Sequence, residues 1–183
     1  QGYSSAASDV YKRQVRYHEN DYEVETRLAG RFNIYNTLGA IGAALNEGIS
    51  MDDAIEAVKD FQSVPGRFEL IDEGQSFAVV VDYAHTPDGL EKILGTAREI
   101  TEGKIIAVFG CGGDRDRMKR PIMGSIAAEH ADISIVTSDN PRTEDPEKII
   151  EDVVVGVEKV KKNKPDLYYE VIADRRQAIK RAV

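Results

Sequence analysis

The chain has 183 residues, with 24 Lys and Arg against 32 Asp and Glu, and a formal net charge of −8. That balance argues against general nucleic-acid binding, which needs a basic face. Hydrophobic residues make up 42%, enough for a real core, so disorder is not the expectation.

The length suggests one domain, or one domain plus a piece of another. The lone cysteine, Cys111, excludes an internal disulfide framework and a multi-cysteine zinc site. No apolar run approaches the roughly 18 residues of a membrane span, so no membrane insertion is expected. Without a signal peptide, the cytoplasm is the expected compartment.

Residues 1–14 show no usable period and read as an extraneous or disordered lead. Tyr22, Val24, Thr26 and Leu28 then alternate with charged residues, as in a half-buried strand. Gly30 breaks that pattern. Ile34, Leu38, Ile41 and Leu45 mark one face of a helix with Asn33 in the N-cap position, and Gly48 closes it. Ser50 to Asp53 is an acidic capping box that opens a second helix, with Ala54, Ile55, Val58 and Phe61 inward. A strand and a helical hairpin are too small to stand alone, so this part reads as the end of a larger domain.

Ser63-Val64-Pro65-Gly66-Arg67 is a composition break and a hinge candidate. An α/β rhythm follows. Strands are expected over 77–81, 104–109, 133–137 and 167–172. Helices are expected from Thr86-Pro87, over 121–129, from Asp145-Pro146 and from Asp174. The alternation predicts a Rossmann-like, mostly parallel sheet with flanking helices, and ligands beyond the carboxyl ends of its strands.

Three polar loops follow those strands. Gly110-Cys111-Gly112-Gly113-Asp114-Arg115-Asp116-Arg117-Met118-Lys119-Arg120 lies between a strand and a helix, with two Arg and a Lys-Arg pair in or just after the turn. Glycines let backbone N–H groups crowd an anion, and a helix N-terminus adds partial positive charge. A tight βα turn with solvated charges is the plainer reading. Asp82-Tyr83-Ala84-His85-Thr86-Pro87-Asp88 offers an Asp–His pair for acid/base work, a carboxylate for a ribose hydroxyl, or simply a capped turn. Asp139-Asn140-Pro141-Arg142 could read a zwitterion, with a carboxylate for the ammonium and a guanidinium for the carboxylate. An ordinary Asp-Asn-Pro turn stands beside that reading. No serine or cysteine is placed to make a nucleophilic triad. His18, His85 and His130 show no metal-ligand spacing, so no metal site is expected within the chain.

Gly30-Arg31-Phe32-Asn33-Ile34-Tyr35-Asn36, Pro65-Gly66-Arg67-Phe68-Glu69 and the three polar loops, in this order, resemble the Mur ligases. Within that family they are most similar to the branch that adds meso-diaminopimelate to UDP-N-acetylmuramoyl-L-alanyl-D-glutamate in peptidoglycan synthesis. The likeness runs from about Val15 to the end. It implies an ATP-dependent amide-bond ligase working through an acyl phosphate. Asn33 and Asn36 would lie near adenine, Arg67 would reach the phosphates, and Asp82 would hold the ribose with His85 close by. Arg115, Asp139, Asn140, Pro141 and Arg142 would bind meso-diaminopimelate. The lysine-adding branch usually lacks that last Arg, as expected if it pairs the second carboxylate.

By the same resemblance, residues 15–64 would end the central ATP-binding domain, and 65–183 would be the amino-acid-binding domain, truncated at its C-terminus. The family's Gly-x-x-Gly-Lys-Thr phosphate loop and its Gly-Lys-Gly-His-Glu segment are absent from this sequence. A fragment is therefore expected, inactive alone, with no certain catalytic residue and with Mg2+ ligands mainly upstream. The full-length protein is expected to be monomeric. Two alternatives remain: a lysine-adding or other amide ligase of the superfamily, such as a folylpolyglutamate synthase, and a nucleotide-binding Rossmann module without ligase activity. A pure interaction domain would leave the polar loops unused.

Overall fold

Tyr22, Val24 and Thr26 alternate with charged residues, and that stretch is one arm of a hairpin. In the computed structural model, which describes residues 11–183, β1 (Tyr11–Tyr17) pairs antiparallel with β2 (Asn20–Thr26). His18 turns the chain at φ 52°. The lead expected over residues 1–14 is corrected at its last four positions, which lie in β1. Lys12 there reaches Glu23 and Glu25 across the hairpin, at 3.0 and 2.8 Å. Ladder bonds and cross-strand pairs make a strand of a run poor in apolar residues. The remainder of that lead, residues 1–10, lies outside the described residues.

The chain divides into two compact units between Tyr83 and Ala84. The first continues with α1 (Arg31–Asn46), α2 (Met51–Asp60) and a second antiparallel hairpin, β3 (Glu69–Ile71) with β4 (Val79–Val81). Asn33 does not cap α1. Gly30, at φ 89°, makes the entry, so Asn33 sits within the first turn and donates to the Ala29 carbonyl at 2.8 Å. Ser50 caps α2 as expected, its hydroxyl accepting from the Asp53 N–H at 3.1 Å. Val24, Ile41, Met51 and Ala54 make the small core, with Ile55 and Val58 half-buried against it. Leu38 and Phe61, expected inward, are exposed. Phe61 has already left the helix, at φ −72° and ψ 120°, so the helical period no longer aims it.

The second unit holds α3 (Pro87–Ile100), β5 (Ile106–Phe109), α4 (Lys119–His130), β6 (Ile133–Val136), α5 (Pro146–Lys161), β7 (Tyr168–Val171) and α6 (Arg175–Ala182). Its sheet is parallel, in the order β5-β6-β7. This is the α/β arrangement with flanking helices that the alternation implied. β4 is the exception: it pairs with β3 rather than joining the parallel sheet. Alternation tells which face of a strand is buried but not which strand lies beside it.

α4 and α5, which connect the parallel neighbours β5, β6 and β7, pack on each other. They meet almost backbone to backbone. A Cβ added at Gly156 would lie 1.8 Å from the Pro121 carbonyl oxygen, and one at Gly124 would lie 2.1 Å from that of Val153. Ala107, Phe109 and Val136 from the strands close the core with Met123, Val153 and Val157. Thr86, Asp145 and Asp174 cap α3, α5 and α6, as their sequences indicated. The carboxyl ends of β5 and β6 therefore deliver two loops, 110–118 and 137–145, side by side.

Candidate functional site

The two loops are fastened to each other along their length. The Gly113 N–H donates to the Asn140 carbonyl at 2.8 Å, and a Cβ on Gly113 would fall 1.9 Å from the Pro141 oxygen. Only glycine permits that approach. The Thr143 hydroxyl and N–H both donate to the Asp114 carboxylate, at 2.7 and 3.2 Å. The Arg142 guanidinium donates to the Gly113 carbonyl at 2.5 Å. Asp114 and Arg142 stand at φ 52° and 51°, the left-handed region that costs a side-chain-bearing residue about 1 kcal/mol or more. The turn closed by the Glu144 N–H on the Pro141 oxygen, with the Arg142 bond to Gly113, keeps Arg142 in that conformation.

Of the two sequence readings of the glycine loop, a tight βα turn or an anion site, the second gives its N–H groups to a bound anion. The structure corrects this for two of them, because the protein supplies the acceptor itself. The Gly113 N–H is taken by Asn140, and the Asp114 N–H donates to Glu144 Oε1 at 2.6 Å. Glu144 also accepts from Arg117 at 2.8 Å and from both terminal nitrogens of Arg120, at 2.8 and 3.1 Å. These cations and the Asp114 amide, Arg120 foremost, hold the Glu144 carboxyl far below its usual range, at about 2. Arg120 is fully buried and donates further to Asp152 (2.9 Å) and to the Gly112 carbonyl (3.4 Å).

Sequence reading noted Arg120 only as part of the basic cluster just after the glycine turn, and it missed Glu144 and Asp152. The local signal at Glu144 was only its place just before the Asp145-Pro146 cap. The partners lie 24 and 32 positions apart, beyond the reach of periodicity.

The expected amino-acid-binding residues fall on this pair of loops. Arg115 is exposed and makes no hydrogen bond or ion pair among the described residues. Its Cα lies within about 7.6 Å of that of Gly113, by two trans-peptide steps, so it shares the loop that Arg142 grips. Asp139 faces Arg175 of α6 at 3.7 Å, both side chains near half exposed. Asn140 and Pro141 act here through their carbonyls, which take the Gly113 and Glu144 N–H groups. His85 is drawn to the same unit's α4, where Lys119 donates to its carbonyl at 2.8 Å. Cys111 is buried beside Met123, and burial pushes its thiol up to about 11, so it is no nucleophile at neutral pH.

The other expected residues lie in the first unit. Asn33 is buried and accepts from Asn36 at 3.1 Å through its side-chain oxygen. The Arg67 guanidinium lies over the Tyr83 ring, 4.3 Å from its centroid. Asp82 accepts from the Phe68 N–H at 2.7 Å, and Phe68 stands at φ 47°. Asp82 therefore holds the start of β3 in this structure. Among the described residues, no group of three or more His, Cys, Asp or Glu is placed to hold a metal ion. No helix among them is long and apolar enough to cross a membrane.

Residues 66–183 match the family model described as Mur ligase, glutamate ligase domain. The chain is 52% identical over 170 residues to the UDP-N-acetylmuramoyl-L-alanyl-D-glutamate--2,6-diaminopimelate ligase of Syntrophomonas wolfei subsp. wolfei, covering 93% of this chain and 34% of that relative. It is also 52% identical over 162 residues to the Clostridium botulinum protein of the same name, covering 87% and 32%. A solved structure of a ligase of that name superposes with a TM-score of 0.60 at 40% identity, over 92% of this chain and 34% of that one. The chain thus spans about a third of the length of the relatives it matches.

Proposed function

The chain belongs to the Mur ligase family, and we propose that it is the amino-acid-recognising part of a ligase that joins meso-diaminopimelate to UDP-N-acetylmuramoyl-L-alanyl-D-glutamate. The observation that carries this reading is the Arg142 guanidinium, held at a strained loop tip on the Gly113 carbonyl, beside the unengaged Arg115. Two guanidinium groups on adjoining loops suit a ligand with two separate carboxylates. Lysine offers only one.

On this reading Arg142 and Arg115 take the carboxylates, and Asp139 takes an ammonium group. Asn140 and Pro141 hold the loop that presents them. Residues 65–183 act as the amino-acid-binding domain, and 15–64 end the ATP-binding one. Asn33, Asn36, Arg67, Asp82 and His85 serve the nucleotide. The γ-phosphoryl of ATP passes to the glutamyl carboxylate, giving an acyl phosphate and ADP. An amine of the bound diamino acid attacks that carbonyl, and phosphate leaves as the amide forms and a proton is shed. The loops contribute by positioning the amine. Magnesium would accompany the nucleotide; no step is assigned to it within these residues. The proposed setting is the cytoplasm, where peptidoglycan precursors are assembled.

Titration of the isotope-labelled chain with meso-diaminopimelate and, separately, with L-lysine tests the reading by NMR. Shifts at Gly112, Gly113 and Arg142 with meso-diaminopimelate alone are expected. Arg142→Ala should weaken binding by about 2 kcal/mol or more, roughly thirtyfold. Equal responses to the two amino acids, or shifts remote from both loops, would remove the basis for the assignment.

A further inference from the structure

Glu144 occupies the place that a glycine turn before a helix ordinarily offers to a bound anion. It receives a backbone N–H from Asp114 and three guanidinium contacts from Arg117 and Arg120. The Arg120 side chain is 1% exposed, and that of Glu144 is 13% exposed. Arg120 ties the group to α5 through Asp152 and to the glycine loop through Gly112. Its Nε finds no partner among the described residues. A buried ion pair gains little stability over an apolar replacement, and an unpaired buried donor detracts from it. What the cluster does supply is geometry: the glycine loop, the loop of Arg142 and α4 meet on the Glu144 carboxylate, and Arg120 carries the tie on to Asp152 of α5.

We propose that Glu144 is a built-in anion that fills the glycine-loop site, and that Arg120 and Glu144 are the positioning residues for carboxylate recognition at Arg115 and Arg142. The inference rests on the amino-acid-binding role argued above. With the internal site filled, an incoming carboxylate finds its donors only at the loop tips. Without Glu144, the Asp114 N–H and the Arg117 and Arg120 guanidiniums form a competing anion site, and the two loops lose one of the ties between them.

Glu144→Ala, with and without formate, tests this in the labelled 183-residue chain. In the wild type, the Asp114 and Gly113 amides should exchange slowly and ignore formate. In Glu144→Ala they should exchange at least about tenfold faster, while amides of Val136 and Val153 in the core hold their rates. Formate should then bind and restore protection. Affinity for meso-diaminopimelate should fall by roughly tenfold or more through misplacement of the loop tips, and formate should recover part of it. Should Glu144→Ala fail to fold, Glu144→Asp, whose carboxylate stops one methylene short of the Asp114 N–H, gives the same exchange readout without the rescue. Unchanged exchange at Asp114 and Gly113, or no response to formate in a folded Glu144→Ala chain, would overturn the proposal. The exchange measurements need no amino acid. A wild-type chain that ignores meso-diaminopimelate would therefore sink the functional reading while leaving the internal anion to be judged separately.

Discussion

Each unit of this protein contains one carboxylate gripped by two cations and held at a pKa of about 2: Glu25 in the first and Glu144 in the second. The resemblance stops at that number. Glu25 sits on a strand between Lys12 and Lys59, at 2.8 and 2.9 Å, and both lysines are about 60% exposed. Ammonium groups on long stems attract without fixing direction. Glu144 meets a buried guanidinium fork and a backbone amide. A depressed pKa reports how firmly a proton is refused. It does not report how firmly a loop is placed, and only the second cluster has the geometry to place one.

Removing the buried cation breaks the comparison most severely. Arg120→Ala leaves Glu144 and Asp152 without their shared partner inside the second unit and should cost about 3 kcal/mol. The matching change in the first unit, Lys59→Ala, exposes nothing buried and should leave the denaturation midpoint nearly unmoved. Urea unfolding, followed by residue-resolved amide signals from each unit, checks both. Equal losses would mean that the two clusters are mechanically alike.

Glycines sharpen the contrast at a smaller scale. Gly113→Ala forces a methyl group into the Pro141 carbonyl and should cost about 1–3 kcal/mol as the loops separate. In α1 of the first unit, a Cβ on Gly42 meets nothing within 4 Å. Gly42→Ala should therefore add about 0.5–1 kcal/mol through helix propensity alone. Thermal melts of the two variants should move in opposite directions. Gly113 is a close-contact device, and Gly42 is merely a weak helix former.

That contrast also explains what was legible beforehand. The caps at Ser50, Thr86, Asp145 and Asp174 could be read because a cap is a contact over two or three positions. β5, β6 and β7 could be read because apolar runs between helical periods have few other uses. β3 is three residues without a pattern, and its pairing with β4 depends on residues about ten positions away. Arg115 and Arg142 were visible as charges in loops that follow strands. The cluster that holds those loops was not, because Arg120, Glu144 and Asp152 come from three segments and meet only in the folded chain. Local signals marked the charged residues of the loops, and long-range contacts decide where those residues stand.

The smallest expected effect concerns acid. Glu25 and Glu144 have folded pKa values near 2, against an ordinary 4.5. A carboxyl whose pKa is depressed by folding contributes stability that is fully present above its unfolded value. That contribution is lost as pH falls from about 4.5 through about 2. Both units should therefore weaken in the same window and in the same direction. For Glu25 the lysines stand in solvent, and salt should erase much of its share. The Glu144 share, with Arg120 buried, should resist salt. Acid unfolding of the wild type, Glu25→Gln and Glu144→Gln at low and high ionic strength separates the two. Glu25→Gln should flatten the first unit's acid response only at low salt. Glu144→Gln should flatten that of the second unit at both, and equal salt sensitivity would make Glu144 an ordinary surface carboxylate.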